Sequence, residues 1–262
     1  MGSGVNGFAV WERNNLSYSN KHTSGSWDIS EHDHDANSDV EPAIAMSADN
    51  TAIIIALEGS QTIKYTWYNR TDWPESNPDE FTTVLSTTYT FEVPRLAMDA
   101  DGRAWALFAE GDGNGNYKLK AIGFNGSSWG TVYAISSSVS SIPGSPSIEM
   151  SPNGKVVAVW VDAGSGDIYA NIYSGGWVGT ELIGNGSDPA CGIDDSGNAF
   201  VVFDKGSSIF AREYKAASGW QIGLRISDAA TAPAYPDVAV NKNGDTIAVW
   251  VDAGVIYANR LE

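Results

Sequence analysis

Apolar residues follow two rhythms along this chain. Stretches such as "AIIIAL" (Ala52–Leu57) and "VVAVWV" (Val156–Val161) are apolar at every position. Others, such as "IYANIY" (Ile168–Tyr173), "IFAREY" (Ile209–Tyr214) and "VIYANR" (Val255–Arg260), alternate. A short continuous run bounded by turn residues reads as a strand covered on both faces, whereas alternation reads as a strand with one wet face. Each continuous run follows a shorter strand that starts at a proline and a polar turn such as "SPNG", "DADG" or "NKNG", which suits a tight hairpin. The predicted unit is strand A after the proline, a hairpin, strand B buried on both faces, strand C, a turn carrying a tryptophan, and strand D.

The unit recurs from Pro42, Pro94, Pro146, Pro189 and Pro236, at spacings of 52, 52, 43 and 47 residues. "NGFAVWERNNLSYSN" (Asn6–Asn20) matches the middle of a sixth unit that lacks its opening. Four short strands repeated at this period are the pattern of β-propeller blades. Blade packing explains strand B, since each sheet lies between two others. It also explains the small residues of strand A, where blades converge. The expected fold is all-β and a single domain over residues 1–262, with units at approximately 5–41, 42–93, 94–145, 146–188, 189–235 and 236–262. Six four-stranded antiparallel blades with incomplete terminal blades is the simplest reading. Five blades with a spare hairpin is the alternative. Incomplete end blades would also allow an oligomer to form by exchange.

The proline-led opening "P-x-φ-A-φ-x-x-x-G" before an apolar strand resembles the NHL-type and sialidase-like propeller repeats. The "AVW…IYANIY…GGW" core resembles tandem repeats of large bacterial extracellular proteins. That resemblance spans nearly the whole chain, concerns the fold, and implies a secreted or cell-surface protein. The sialidase Asp-box is not matched: "MDADGRAW" (Met98–Trp105) comes nearest, but Asp101 directly adjoins Gly102.

Composition narrows the partners. With 15 basic and 32 acidic residues the formal charge is −17. Phosphate binding needs a basic footprint, so nucleic acid and anionic membranes are excluded as partners. No apolar run is long enough to span a membrane. A carbohydrate or a protein ligand remains. Cys191 is the single cysteine, so no disulfide can form within the chain. No cofactor or metal is expected. His32 and His34 in "EHDHDANSDVE" (Glu31–Glu41) lack a convincing third zinc ligand, the calcium-loop spacing lacks its glycine, and the segment reads as a solvated loop.

Carboxylates recur at the end of strand B: Glu58, Glu110, Asp162, Asp204 and Asp252, with Glu12 near equivalent. They read either as turn-starting residues or as an acidic ring that attracts a cation or a basic partner. In strand A, Arg95, Glu149 and Asp237 interrupt positions that other repeats keep small, and they are expected near the axis. Arg95 and Glu149 form the expected pair; a central ligand pocket is the alternative. Aromatic residues at strand ends and turns read as packing or as sugar-stacking faces, with Trp73 and Trp177 as ligand candidates and Trp67 and Tyr235 among the less repetitive ones. The three histidines, all in the first repeat, do not support a nucleophile–His–Asp set, so no catalytic residue is assigned. The first reading is a non-catalytic, lectin-like binding or interaction module. The alternatives are a glycoside-acting enzyme using Glu149 and Asp237, and a structural repeat array.

Overall fold

The computed structural model describes residues 5–34, 39–73, 81–137, 141–227 and 233–261. Among the described residues there are six sheets, and neighbouring strands within each are mostly consecutive in sequence. The first holds β1 (Val5–Arg13), β2 (Leu16–Thr23), β3 (Ser26–Trp27) and β4 (His32–Asp33). The second holds β5 (Asp39–Met46), β6 (Thr51–Glu58), β7 (Thr62–Asn69) and β8 (Thr82–Ser86). The third holds β9 (Phe91–Met98), β10 (Ala104–Gly111), β11 (Tyr117–Phe124) and β12 (Trp129–Ala134). The fourth holds β13 (Gly144–Met150), β14 (Val156–Asp162), β15 (Asp167–Tyr173) and β16 (Glu181–Asn185). The fifth holds β17 (Ser187–Ile193), β18 (Ala199–Asp204), β19 (Ile209–Lys215), β20 (Gly219–Trp220) and β21 (Leu224–Arg225). The sixth holds β22 (Ala234–Val240), β23 (Thr246–Asp252) and β24 (Val255–Leu261). The first sheet thus begins with strand B and the sixth ends with strand C. The chain forms two compact units, Met1–Asn114 with Lys120–Tyr133, and Gly115–Leu119 with Ala134–Glu262.

Strand B is buried on both faces, as its unbroken apolar run requires. In the first unit, Ile53, Ile55 and Leu57 of β6 pack with Phe91, Ala106 and Phe108 of the third sheet. The alternate residues Ala52, Ile54 and Ala56 pack with Phe8 and Val10 of the first sheet. The second unit repeats the arrangement: Val201 and Phe203 of β18 join Val157 and Val159, while Phe200 and Val202 join Val238 and Trp250.

The A–B hairpin is built the same way five times. Ser47, Asp99, Ser151, Asp194 and Asn241 each accept, through a side-chain oxygen, the backbone N–H four residues on. The position before the last of these is left-handed, with φ of +82° at Gly102 and 68° at Asn50. Glycine tolerates that backbone without a Cβ clash, and asparagine is among the few other residues that visit it readily.

Strand A does not begin at its proline. In all five repeats the strand starts upstream, and a register shift lies at the proline. The residue before the proline is left-handed each time: Glu41, Val93, Ser145, Asp188 and Tyr235 have φ between 43° and 55°. This is a β-bulge, which leaves the proline, without an N–H to donate, off the regular ladder.

The segment expected as a solvated loop is also different. His32 and Asp33 form β4, paired to Ser19 and Tyr18 of β2. His34 is buried, its Nε2 sits 2.7 Å from Ser19 Oγ, and its ring packs edge-on to Trp73. Two imidazoles that can lie against an indole resolve the conflict between an acidic run and a need for cover. Asp35 and Asn37 of the same stretch lie outside the described residues.

Candidate functional site

A cleft of about 220 Å³ opens in the first unit between the second and third sheets. Its aromatic wall is Trp67 of β7, whose residue surface is 41% exposed. Because β7 alternates, Tyr68 beside it turns into the core while Trp67 faces out. Phe124 and Ile53 form the apolar floor, and Asp49, Asn69, Arg70 and Asp101 supply the polar groups.

Hairpin register brings the polar groups together. Thr51 pairs with Asn69 across β6 and β7, so Asp49 and Arg70 lie just beyond the two strand ends and form an ion pair. Asp49 also accepts from Ser47 Oγ at 2.5 Å, Thr51 Oγ1 at 2.9 Å and Thr51 N at 3.1 Å. The Ser47 bond above all, with Arg70 and Thr51 adding to it, holds the Asp49 carboxyl well below the usual carboxylate range. Arg70 is left-handed at φ 80°, an unfavourable conformation for a residue with a Cβ. The Asn69 side chain stabilises this turn by accepting Thr71 N and Asp72 N, both at 3.1 Å. Arg70 is therefore preset from backbone and side chain at once. The third sheet approaches through Gly102, where a Cβ would lie 3.3 Å from Thr51 Oγ1.

Glu149 and Asp237 both belong to the second unit and both reach solvent. They stand on β13 and β22, with β17 and its small residues Ala190 and Gly192 as the strand that contacts both. Crowding by protein, and then the Asp237 charge, push the Glu149 carboxyl up to about 7. Beneath them Cys191 is buried, with Sγ 3.4 Å from Ser147 Oγ, and burial pushes its thiol up. Arg95 belongs to the first unit, and its Nη1 donates to Pro94 O at 2.8 Å.

The strand-end carboxylates differ among themselves. In the first unit Glu58 pairs with Lys64 at 2.8 Å, and Glu110 pairs with Lys120. Each lysine comes from the following strand and neutralises its acid. In the second unit Asp162 accepts Gly164 N at 2.9 Å, the turn-starting role. Burial, and then the nearby Asp188, raise the Asp204 carboxyl. Asp252 is buried.

Trp73 is 5% exposed and packs edge-on to Phe8 and Tyr68. Trp177 is half-buried and edge-on to Tyr173 across a single β-bridge. Among the described residues no group of three or more His, Cys, Asp or Glu is arranged to hold a metal. No helix of the described residues is long and apolar enough to cross a membrane.

Sequence reasoning named Trp67 as a candidate and Asp101 only in the failed Asp-box comparison, and it did not name Asp49, Asn69 or Arg70. One signal was available. "SADN" is the A–B turn that carries Asn where the other four carry Gly, so it departs from the repeat at the cleft.

No family model and no curated protein matches the chain. Solved structures do. The lectin of Aleuria aurantia, described as a six-bladed β-propeller with a novel fucose recognition mode, matches with a TM-score of 0.55 at 13% identity over 97% of this chain and 90% of that one. The polysaccharide lyase Uly1 matches with a TM-score of 0.56 at 10% identity over 100% and 81%. The Hadza microbial sialidase Hz136 matches with a TM-score of 0.57 at 10% identity, and the chain spans 59% of that enzyme. At such identities the likeness is one of fold. This chain is all-β, and its six antiparallel sheets correspond to the six blades of a propeller.

Proposed function

We propose that this protein is a non-catalytic carbohydrate-binding module whose ligand occupies the Trp67 cleft. The carrying observation is an exposed indole beside an arginine locked by Asp49. An aromatic face stacks on the apolar side of a sugar ring, while preset donors and acceptors bond its hydroxyls. The Arg70 charge is matched by Asp49, and the Asp101 carboxylate is paired with Arg103 at 3.3 Å. Neutral sugars are therefore favoured over those bearing a carboxylate. The fucose lectin, the lyase and the sialidase support a glycan ligand at the level of the fold, and secretion or surface display fits such a ligand.

The test is a screen of neutral and acidic glycans followed by calorimetry. Trp67→Ala is expected to weaken the best neutral ligand by at least about tenfold, the loss of one stacking contact and its buried area. Retained affinity in Trp67→Ala would sink the assignment.

A second reading draws on Glu149. A carboxyl titrating near neutrality beside another carboxylate suits general acid–base chemistry on a glycosidic bond. Under that reading, the protein turns over aryl glycosides and Glu149→Gln abolishes the turnover.

A further inference from the structure

The pair Asn–Gly occurs six times in the chain, beginning at Asn6, Asn114, Asn125, Asn153, Asn185 and Asn243. Such a pair can modify itself. The glycine backbone nitrogen attacks the asparagine side-chain carbon Cγ, a succinimide ring closes and ammonia leaves. Water then opens the ring at one carbonyl or the other, giving aspartate or isoaspartate. The net change is one water consumed and one ammonia released, with no oxidant, reductant or cofactor. Glycine favours the attack because no Cβ shields its nitrogen. In a folded protein the step needs a glycine N–H free to give up its proton, a side-chain oxygen stabilised as it takes up negative charge, and access for water.

The structure separates the six pairs. Asn6 and Gly7 lie within β1, which is held along β2. Gly154 N donates to Ser151 O at 2.9 Å, Gly186 N to Gly166 O at 2.9 Å and Gly244 N to Asn241 O at 3.0 Å, so these three nitrogens are occupied. The leaving groups of two of them are held as well, Asn153 Nδ2 by Asp195 O at 2.7 Å and Asn185 Nδ2 by Ser165 O at 3.2 Å. Among the described residues, only Gly115 and Gly126 of these glycines lie outside a strand with an N–H that bonds to no protein group.

Asn125 differs from Asn114 in its side-chain oxygen. Asn125 Oδ1 accepts Ser127 N, Ser127 Oγ and Ser128 N, each at 2.9 Å. Two backbone N–H groups aimed at one atom identify it as the oxygen, since an amide nitrogen cannot accept them. Preset donors at a carbonyl oxygen stabilise the negative charge that develops there when the carbon is attacked. Asn125, Gly126, Ser127 and Ser128 are all exposed, so water reaches the turn. Gly126 has φ of +97°, and a Cβ placed there would meet nothing within 4 Å, so its nitrogen is unshielded. Asn114 uses only its backbone N–H, donated to Asp112 Oδ1 at 2.7 Å, and among the described residues no donor holds its side-chain oxygen.

We propose that Asn125 is a self-modifying site, at which attack of Gly126 N on Asn125 Cγ converts the asparagine to aspartate and isoaspartate in the folded protein. The turn joins β11 to β12, and Gly126 lines the Trp67 cleft. Conversion therefore sets a new carboxylate beside a lining residue of that cleft, and isoaspartate adds a methylene to the main chain there. The chemistry does not depend on the cleft's binding a sugar.

The experiment incubates the intact protein at mildly alkaline pH, folded and in urea, and follows the six pairs with time by peptide mapping and mass spectrometry. In urea the six should convert at similar rates, because each presents the same unconstrained Asn–Gly backbone. In the folded protein Asn125 should convert first and no more slowly than in urea. Its lead over every other pair should be at least about tenfold, a fraction of the hundredfold or more that one such donor contributes in a sealed active site. Ser127→Ala, at an exposed position, removes one of the three donors and should slow Asn125 several-fold, with the other pairs and the unfolding midpoint unchanged. Asn125→Gln should abolish the acidic species that isoelectric focusing resolves as it forms in wild type, because glutamine must close a larger ring. The proposal is overturned if Asn114 or any other pair converts before Asn125 in the folded protein, if folding slows Asn125, or if Ser127→Ala leaves its rate unchanged.

Discussion

Replacing Glu149 by glutamine tests the carboxylate pair of the second unit directly. In the folded protein its carboxyl titrates at about 7, against an ordinary value of 4.5. Below about 4.5 the folded and unfolded chains both hold the proton, and the residue makes no pH-dependent contribution. Between about 4.5 and about 7 the unfolded chain releases the proton and the folded chain keeps it, so stability falls as pH rises. Above about 7 the penalty for ionising a carboxyl crowded by protein and faced by Asp237 is complete. The displacement sets a ceiling of about 3 kcal/mol. The side chain is open to water, and solvent screening reduces the expected effect to about 1 kcal/mol. Urea unfolding of wild type and Glu149→Gln across this pH range measures it. The two stabilities should run together in acid and separate through the window, with the glutamine variant the more stable above it. Asp237→Asn removes the neighbouring charge and should move the wild-type fall to lower pH. Parallel curves for wild type and Glu149→Gln across the window would refute the reasoning.

Two further substitutions test the scaffold. Gly192→Ala places a Cβ 2.6 Å from Val240 Cγ2 and 3.2 Å from Val240 N, so β17 and β22 must separate. Such overpacking is expected to cost about 1–3 kcal/mol in urea unfolding, and unchanged stability would contradict the close approach. Asp99 is buried and accepts Asp101 N, Arg103 N and Arg103 Nε. Asp99→Ala is expected to cost about 1–2 kcal/mol. Asp99→Ser should recover part of that loss, because Ser47 and Ser151 hold the same turn in other sheets; equal losses for alanine and serine would show that the turn bond is not the cause.

The repeat was legible because its determinants are local. A doubly buried strand must be apolar at every position, and "AIIIAL" is. A left-handed turn residue is accommodated most easily by Gly or Asn, and the five A–B turns carry them. The bulge at each proline was not legible. A proline tells where a donor is missing, whereas the left-handed backbone at Val93 or Tyr235 is imposed by the strand alongside. Nor does an acidic, histidine-bearing stretch reveal that His34 will be buried. That follows from β4 docking on β2, which places the imidazole between Ser19 and Trp73.

The sites divide along the same line. By itself, the sequence determined that Glu149 and Asp237 break a small-residue rule of strand A and that Trp67 departs from the repeated tryptophans. It also determined the formal charge of −17. Only the tertiary structure decided which groups meet. Asp49 and Arg70 are adjacent because Thr51 pairs with Asn69, and Asp101 and Phe124 join them because the third sheet packs against the second. Side-chain periodicity assigns a residue to a face of its own strand. What covers that face, and so whether Trp73 is core while Trp67 lines a cleft, depends on how one sheet packs against the next.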